Sequence, residues 1–318
     1  MTPRVFIDGN VGTVGLRIRQ WLTGRREFQV VELPESLRKD LGARRDAIQS
    51  AQVAILCLPD PAAREAAEFA LDHGVRVLDA STAHRVAPGW AFGLPELGAS
   101  QRAEIARARA VSNTGCWSCA TILLVKPLID AGILSSDTPL HIHGLSGYTG
   151  GGREMIAKWE DPQRGLLTHV YEAPYALDKL HKHVPEMKHY GGLTRDPVFV
   201  PAVGPFACGM RVEIPLHGDL VPGIAGGKSI YEALETRYKD EPFVKVHAIR
   251  EPLDANESTF DPRACNDTNR IELRVLPHPS GHVLLMAILD NLGKGASGSA
   301  IQSLNLMLGL PEAAGLTP

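Results

Sequence analysis

Cys116 lies in the run Ser112, Asn113, Thr114, Gly115, Cys116, Trp117, Ser118, Cys119, Ala120, Thr121, between a short apolar segment and a long one. Ala110 and Val111 close a strand, while Ile122, Leu123, Val125, Leu128 and Ile129 recur at helical spacing as far as Gly132. This puts Cys116 near a helix N-terminus, where unpaired N–H groups and the macrodipole lower a thiol pKa from roughly 8.5 towards neutrality. A thiolate there attacks acyl carbon. Gly115 lets the backbone approach a substrate, and Asn113 or the N–H groups after the cysteine suit a developing oxyanion. Two other readings fit the same residues. Free cysteines are commonly small buried hydrophobes, and the two-residue gap between Cys116 and Cys119 also suits a redox pair or a zinc shared with His181 and His183.

Other groups able to do chemistry are spread along the chain. Gly9, Gly12 and Gly15, with Asn10, Val11 and Thr13 between them, follow the strand Val5 to Ile7 and open a helix carrying Val14, Ile18, Trp21 and Leu22 on one face. Strand, glycine turn and helix make a variant dinucleotide fingerprint, the glycines letting backbone N–H groups reach a pyrophosphate. Glu32, ending a second strand over Phe28 to Leu33, suits the ribose hydroxyls of NAD, whereas Arg38 and Lys39 suit the 2′-phosphate of NADP or form a solvated charge cluster. His181, Lys182 and His183 supply imidazoles for proton transfer near neutral pH. Ser146, Gly147 and the glycines up to Arg153 form a loop opening a helix, apt for an anionic substrate or serving as a plain linker.

The elements that position these groups fall into two patterns. Strands at Val53 to Leu58 and Val75 to Leu78, with a helix from Asp60 as N-cap and Pro61 in its first turn to His73, extend a doubly wound parallel sheet. Its strand-end turns, Leu58 and Pro59 to Asp60 and Asp79 to Ser81, are where a ligand sits in such sheets. From Ala80 to Leu97 the pattern is too irregular for packed scaffold, which makes Ser81 and Arg85 loop candidates for holding a phosphate. Beyond the Cys116 helix, Leu140, Ile142 and Gly144 alternate with His141 and His143, and Met210, Val212, Ile214 and Leu216 with Arg211, Glu213, Pro215 and His217. These read as one-sided antiparallel sheet. Strands at Val244 to Ile249, Arg270 to Leu276 and His282 to Leu289, and helices at Arg153 to Asp161 and Ser229 to Asp240, complete a mixed α+β domain. A glycine-rich turn over 290–299 leads to a last helix with Ile301, Leu304 and Leu308 on one face, returning to the first domain. The expected boundaries are 1–114 for dinucleotide binding, 115–289 for catalysis and 290–318 for the returning helix.

With 318 residues, 44% of them hydrophobic, the chain can fill two cores. A net charge of −3, from 33 basic and 36 acidic residues, offers no surplus for nucleic acid or an anionic membrane. Five irregularly spaced cysteines are not a secreted disulfide framework. With no apolar leader or spanning run, a soluble cytoplasmic protein is expected.

Taken together, the motifs resemble the N-acetyl-gamma-glutamyl-phosphate reductases, in their shorter, type 2 form, from Val5 to about Pro311. The resemblance rests on Gly9, Gly12 and Gly15, the run Gly93 to Leu97, Gly115 with Cys116, the run His183 to Glu186, and the tail from Asn291 through Lys294 and Gly295 to Gln302, Asn305 and Gly309. It implies reduction by NADPH of an acyl phosphate to an aldehyde through a thioester on Cys116, in arginine biosynthesis, with an acid/base histidine from His181 or His183. An enzyme of this size is usually a symmetric oligomer, so a homo-oligomer, dimer or tetramer, is expected, with no metal and with Asn291 and Lys294 beside the cofactor. Thr114 departs from the family's usual proline, and Cys119 from its frequent small hydroxyl residue.

Overall fold

The computed structural model describes residues 2–249 and 260–318. The chain forms two compact units, the first running to Gly115 and resuming over Ala296–Thr317, the second comprising Cys116–Gly295 with Pro318.

In the first unit, β1 (Arg4–Asp8), β2 (Gln29–Val31), β3 (Val53–Leu56), β4 (Arg76–Asp79), β5 (Ala91–Gly93) and β6 (Ala110–Asn113) form a parallel sheet in the order β2-β1-β3-β4-β6-β5. Val5, Val53, Ala54, Ile55 and Val77 are wholly buried, as expected of parallel strands covered on both faces. The helices α1 (Thr13–Leu22), α2 (Leu41–Gln49), α3 (Asp60–Asp72) and α4 (Ala99–Arg107) lie between strands. Asp60 is not the cap of α3. Pro59 occupies that position, and the Asp60 carboxylate accepts from the Thr82 N–H at 3.1 Å and its hydroxyl at 2.6 Å.

The segment 80–97 is packed scaffold at both ends, over Ala83 to Arg85 and Ala91 to Glu96, with Val86, Pro88 and Gly89 exposed between them. Phe92 and Leu94 are buried, β5 adds the sixth strand, and the Gln101 amide donates to the Phe92 carbonyl at 2.6 Å. A C-terminal helix, Gly298–Met307, packs on α4 and β6 and buries polar side chains as well as Ile301 and Leu304. The Gln302 amide donates to Glu96 at 2.8 Å and Glu312 at 2.7 Å, and Asn305 donates to the carbonyls of Glu312 and Ala314, both at 2.9 Å. Arg25 donates to Asn305 and to Ala314, and Arg102 pairs with Glu312 at 2.8 Å.

The second unit opens with α5 (Cys116–Asp130), almost all of whose residues from Trp117 to Leu128 are buried. Its sheet joins β7 (His141–Gly147), β8 (Ala173–Pro174), β9 (Val198–Gly204), β10 (Met210–Leu216), β11 (Val244–Val246), β12 (Ile271–Pro277) and β13 (Val283–Leu289) in the order β11-β12-β13-β10-β7-β9-β8. It is mixed rather than antiparallel, because β9 runs parallel to β7 and β11 parallel to β12. Helices α6 (Gly152–Glu160), α7 (Leu166–His169), α8 (Val184–Gly191) and α9 (Lys228–Tyr238) complete the unit, with α8 and α9 against α5. Among the described residues no helix is long and apolar enough to cross a membrane.

Candidate active site

The glycine turn of the first unit has the shape a dinucleotide needs. Gly9 adopts φ +85°, and a Cβ there would lie 2.3 Å from the Cys57 carbonyl oxygen; one at Gly15 would lie 2.4 Å from the Gly9 carbonyl oxygen. A Cβ at Gly12 would meet nothing closer than 3.6 Å, so a ligand can approach that backbone. Gly12 caps α1 without any side-chain hydrogen bond, which leaves the first-turn N–H groups of Thr13, Val14 and Gly15 available to phosphate oxygens. Asn10 is buried beside them and Val11 half-buried. Leu58 and Pro59 follow β3 at the point where strand order reverses, so the turn and this strand end share the crevice typical of such sheets. The residues fit a nicotinamide dinucleotide.

Other candidates in this unit are held by local pairing. Glu32 is ion-paired with Arg19 at 2.7 Å, Arg38 pairs with Glu35 in a short 3-10 turn, and Lys39 is exposed. Ser81 donates to Asp79 at 2.7 Å, His84 Nδ1 lies 2.6 Å from the same carboxylate, and Arg85 Nε donates to the Ser81 carbonyl at 3.2 Å. The Ser81 to Arg85 turn is therefore a rigid, buried structure. The amide nitrogen of Asn113 donates to the Ala296 carbonyl at 2.8 Å, while its side-chain oxygen is buried without a hydrogen-bond partner.

In the second unit Cys116 is the first residue of α5 and half-buried, whereas Cys119, one turn on, is fully buried; neither is in a disulfide. A Cβ at Gly295 would lie 2.6 Å from the Cys116 Cβ, so the tail glycine leaves room for the thiol-bearing residue. The first turn of α5 organises the histidine segment. Trp117 Nε1 donates to the Tyr175 hydroxyl at 3.2 Å, and the Ser118 hydroxyl donates to the His183 carbonyl at 3.4 Å. Tyr175 Oη lies 3.4 Å from His181 Nε2, and His181 Nδ1 accepts from the His183 N–H at 3.1 Å. Because a backbone N–H can only donate, Nδ1 of neutral His181 carries the lone pair and Nε2 the proton, facing Tyr175. The imidazoles meet edge to face with centroids 4.8 Å apart, and His183 caps α8. Burial, reinforced by negative charge on Cys116, pushes the Tyr175 hydroxyl well above its ordinary pKa, with the Trp117 hydrogen bond acting in the opposite sense.

Tyr175 is the group that sequence reasoning missed. A lone tyrosine between two loops carries no spacing signal, although Ala176 beside it adopts a left-handed φ of 53°, a backbone cost that clusters near functional groups. Asn291 accepts from the Gly209 N–H at 2.8 Å and lies 3.5 Å from the Thr149 hydroxyl, tying the Ser146 to Gly152 loop to the end of β13. A Cβ at Gly147 would lie 2.3 Å from the Ala207 carbonyl oxygen, and the Ser146 hydroxyl donates to the Gly147 carbonyl at 3.2 Å. Arg153 is exposed near the start of α6, and Lys294 is fully buried with its ammonium 5.8 Å from the Phe243 ring. Among the described residues no group of three or more His, Cys, Asp or Glu is placed to hold a metal ion.

Two family models match the chain: "Semialdehyde dehydrogenase, NAD binding domain" over residues 4–106 and "Semialdehyde dehydrogenase, dimerisation domain" over 116–291. An N-acetyl-gamma-glutamyl-phosphate reductase 2 of Pseudomonas putida is 45% identical over 315 residues, 99% of each chain. A Trichormus variabilis N-acetyl-gamma-glutamyl-phosphate reductase is 44% identical over 99% of each. The fold is also that of Vibrio cholerae aspartate semialdehyde dehydrogenase II, with a TM-score of 0.73 at 17% identity over 97% of this chain and 99% of that one. Aspartate semialdehyde dehydrogenase from Candida albicans, solved with NADP, has a TM-score of 0.65 at 13% identity, over 96% of this chain and 98% of that one. With relatives aligned end to end at this identity and both halves matched, the chain belongs to the N-acetyl-gamma-glutamyl-phosphate reductase family of semialdehyde dehydrogenases.

Proposed function

We propose that this protein reduces N-acetyl-gamma-glutamyl phosphate to N-acetylglutamate 5-semialdehyde with NADPH, releasing phosphate, in arginine biosynthesis. The observation that supports this chemistry best is Cys116 opening α5 with the hydrogen-bonded Trp117, Tyr175 and His181 set behind it. The Cys116 thiolate attacks the acyl carbon, the carbonyl electrons move to oxygen, and their return breaks the C–O bond to phosphate, leaving a thioester. A nicotinamide dinucleotide held at the Gly9 to Gly15 turn would supply the hydride that reduces this thioester. The alkoxide left by hydride addition takes a proton from the acid/base histidine, and the thiohemiacetal returns that proton to the same imidazole as its carbonyl re-forms and the Cys116 thiolate leaves. Oxyanion charge is held by the N–H groups of Trp117 and Ser118 at the start of α5, while Asn113 clamps the Ala296 carbonyl.

Both nitrogens of His181 are engaged within the protein, so His183 is the proton-transfer group and His181 orients Tyr175. Arg38 and Lys39 take the 2′-phosphate of NADP, with Arg38 exchanging Glu35 for it. Arg85 and Ser81 hold the departing phosphate, and the Ser146 and Gly147 loop with Arg153 receives the remaining carboxylate of the substrate. The protein works as a cytoplasmic homo-oligomer, a dimer or a tetramer, which light scattering on the eluted species distinguishes from a monomer.

The test runs the reaction backwards. Phosphate-dependent reduction of NADP with N-acetylglutamate 5-semialdehyde is expected, at a higher kcat/KM than with aspartate semialdehyde or the one-carbon-longer homologue. A single methylene is worth only about 1–3 kcal/mol of discrimination. Preference for either alternative aldehyde refutes the substrate, and equal use of NAD refutes the assignment of Arg38 and Lys39.

A further inference from the structure

A cavity of about 360 Å³ opens in the second unit at the start of β7, the end of β10 and the start of β13, its lining including His141, Leu216, His217, Leu220, Val221 and His282. Its volume lies within the ~300–1,000 Å³ usual for small-molecule sites. It is remote from the thiol. β10 and β13 each span seven residues between this cavity and the opposite strand ends, on the order of 20 Å, and the tail glycine that touches Cys116 follows that far end of β13.

Two turns build the polar wall. Gly218 follows β10 and Gly281 closes the β12–β13 hairpin; a Cβ at Gly218 would lie 2.9 Å from the Gly281 carbonyl oxygen, so the bare glycine lets the turns meet. This brings the His217 and His282 rings to a centroid distance of 4.1 Å. His217 Nδ1 accepts from the Asp219 N–H, and His282 Nδ1 from the Gly218 N–H, both at 3.2 Å. Backbone N–H groups can only donate, so in each neutral imidazole the proton sits on Nε2. The Asp219 carboxylate is exposed and stands 3.6 Å from His217 Nδ1, on the edge already used by its own backbone. Two fixed N–H donors thus share a wall with Pro215, Leu216, Leu220 and Val221, and no carboxylate is among the lining residues. The ligand such a wall selects carries paired acceptor oxygens on an apolar body.

We propose that this cavity binds a small carboxylate with an apolar body, its oxygens on Nε2–H of His217 and His282 and its body against Leu216, Leu220 and Val221. The probe is 4-phenylbutyrate, with 4-phenylbutanol as the uncharged control, titrated into the full chain by calorimetry and followed by long-range proton–nitrogen correlation of the histidine rings. Saturable binding of the acid is expected, with the His217 and His282 nitrogen signals moving together and the alcohol at least about tenfold weaker, as charge-assisted hydrogen bonds require. His282→Phe keeps the ring and removes the donor, and should weaken the acid at least about tenfold; His282→Gln, which retains a donor, should recover part of the loss. Both variants should leave turnover unchanged. Absence of binding by the unaltered protein up to about 10 mM, equal binding of acid and alcohol, or unchanged affinity in His282→Phe each overturns the proposal. Should His282→Phe fail to fold, the nitrogen signals of the unaltered protein still decide: movement of other histidines in place of these two also overturns it.

Discussion

A thiol acts as a nucleophile only through its thiolate, and the five cysteines of this chain differ in how far their surroundings permit one. Burial, with the negative charges of Asp79 and Asp8, pushes the Cys57 thiol up to about 12, and burial beside Glu272 pushes Cys265 up to about 11. Cys116 has the start of a helix instead. Brief iodoacetamide treatment near pH 7.5 followed by peptide mass mapping should therefore label Cys116 while Cys57 and Cys265 stay intact. Labelling of Cys57 first would contradict this ordering. Incubation with acyl phosphate in the absence of NADPH should leave an acyl adduct on the unmodified protein and on Cys119→Ser, whose altered side chain is buried one turn on, and none on Cys116→Ser. Separate alanine substitutions of the two histidines should also diverge. His183→Ala is expected to lose on the order of 10²–10⁴ in turnover, whereas His181→Ala and Tyr175→Phe lose less. Equal losses from both histidines would remove the division of labour between them.

At the scale of elements, glycines set how closely backbones and reactive side chains approach. A Cβ at residue 144 would lie 2.1 Å from the Trp117 ring, and one at residue 295 would press on Cys116. Gly144→Ala and Gly295→Ala should accordingly lower kcat by about tenfold to a hundredfold while dinucleotide affinity, measured by fluorescence titration, stays near that of the unaltered chain, since displacements near 1 Å are enough to spoil reacting geometry. Loss of dinucleotide affinity in step with kcat would point to general unfolding. The parallel strands were legible because residues such as Val53 to Leu56 are buried on both faces and leave unbroken apolar runs. The helix after Gly115 was legible from the spacing that ends at Gly132, which adopts φ +68°. β9 was not, because Pro201 interrupts a segment that would otherwise read as strand. α8 was not, because its cap, His183, offers no side-chain hydrogen bond; Pro185 in its first turn and the left-handed Gly192 after it were the available signals. β5 and the turn after it depend on Gln101 and Gln302, partners that local sequence cannot reveal.

For the molecule as a whole, one ion-pair cluster, around Glu272, ties stability to pH on the acid side. The hydrogen bond from His247, at 2.9 Å, together with Arg270 and Arg274, outweighs burial and lowers the Glu272 carboxyl from 4.5 to about 2. A carboxyl depressed in the folded state contributes stability that is complete above pH 4.5 and drains away as pH falls from there through 2. Unfolding free energies from denaturant titration should fall across that window, by at most about 3 kcal/mol from this group, and Glu272→Gln should flatten that part of the profile. An unchanged profile would show that other carboxylates dominate.

The first unit is discontinuous in sequence: Gln302, Asn305 and Glu312 bond to Glu96, Arg25 and Arg102, with the whole of Cys116–Gly295 between the two parts. On a ribosome, then, the nucleotide-binding sheet is made first and completed last. Its Glu96 carboxylate, fully buried in the finished fold, has no Gln302 to meet until the second unit has been synthesised. The inserted unit, continuous from Cys116 to Gly295, is free to fold earlier, and protease resistance in stalled nascent chains should appear there before it appears in the segment that precedes it.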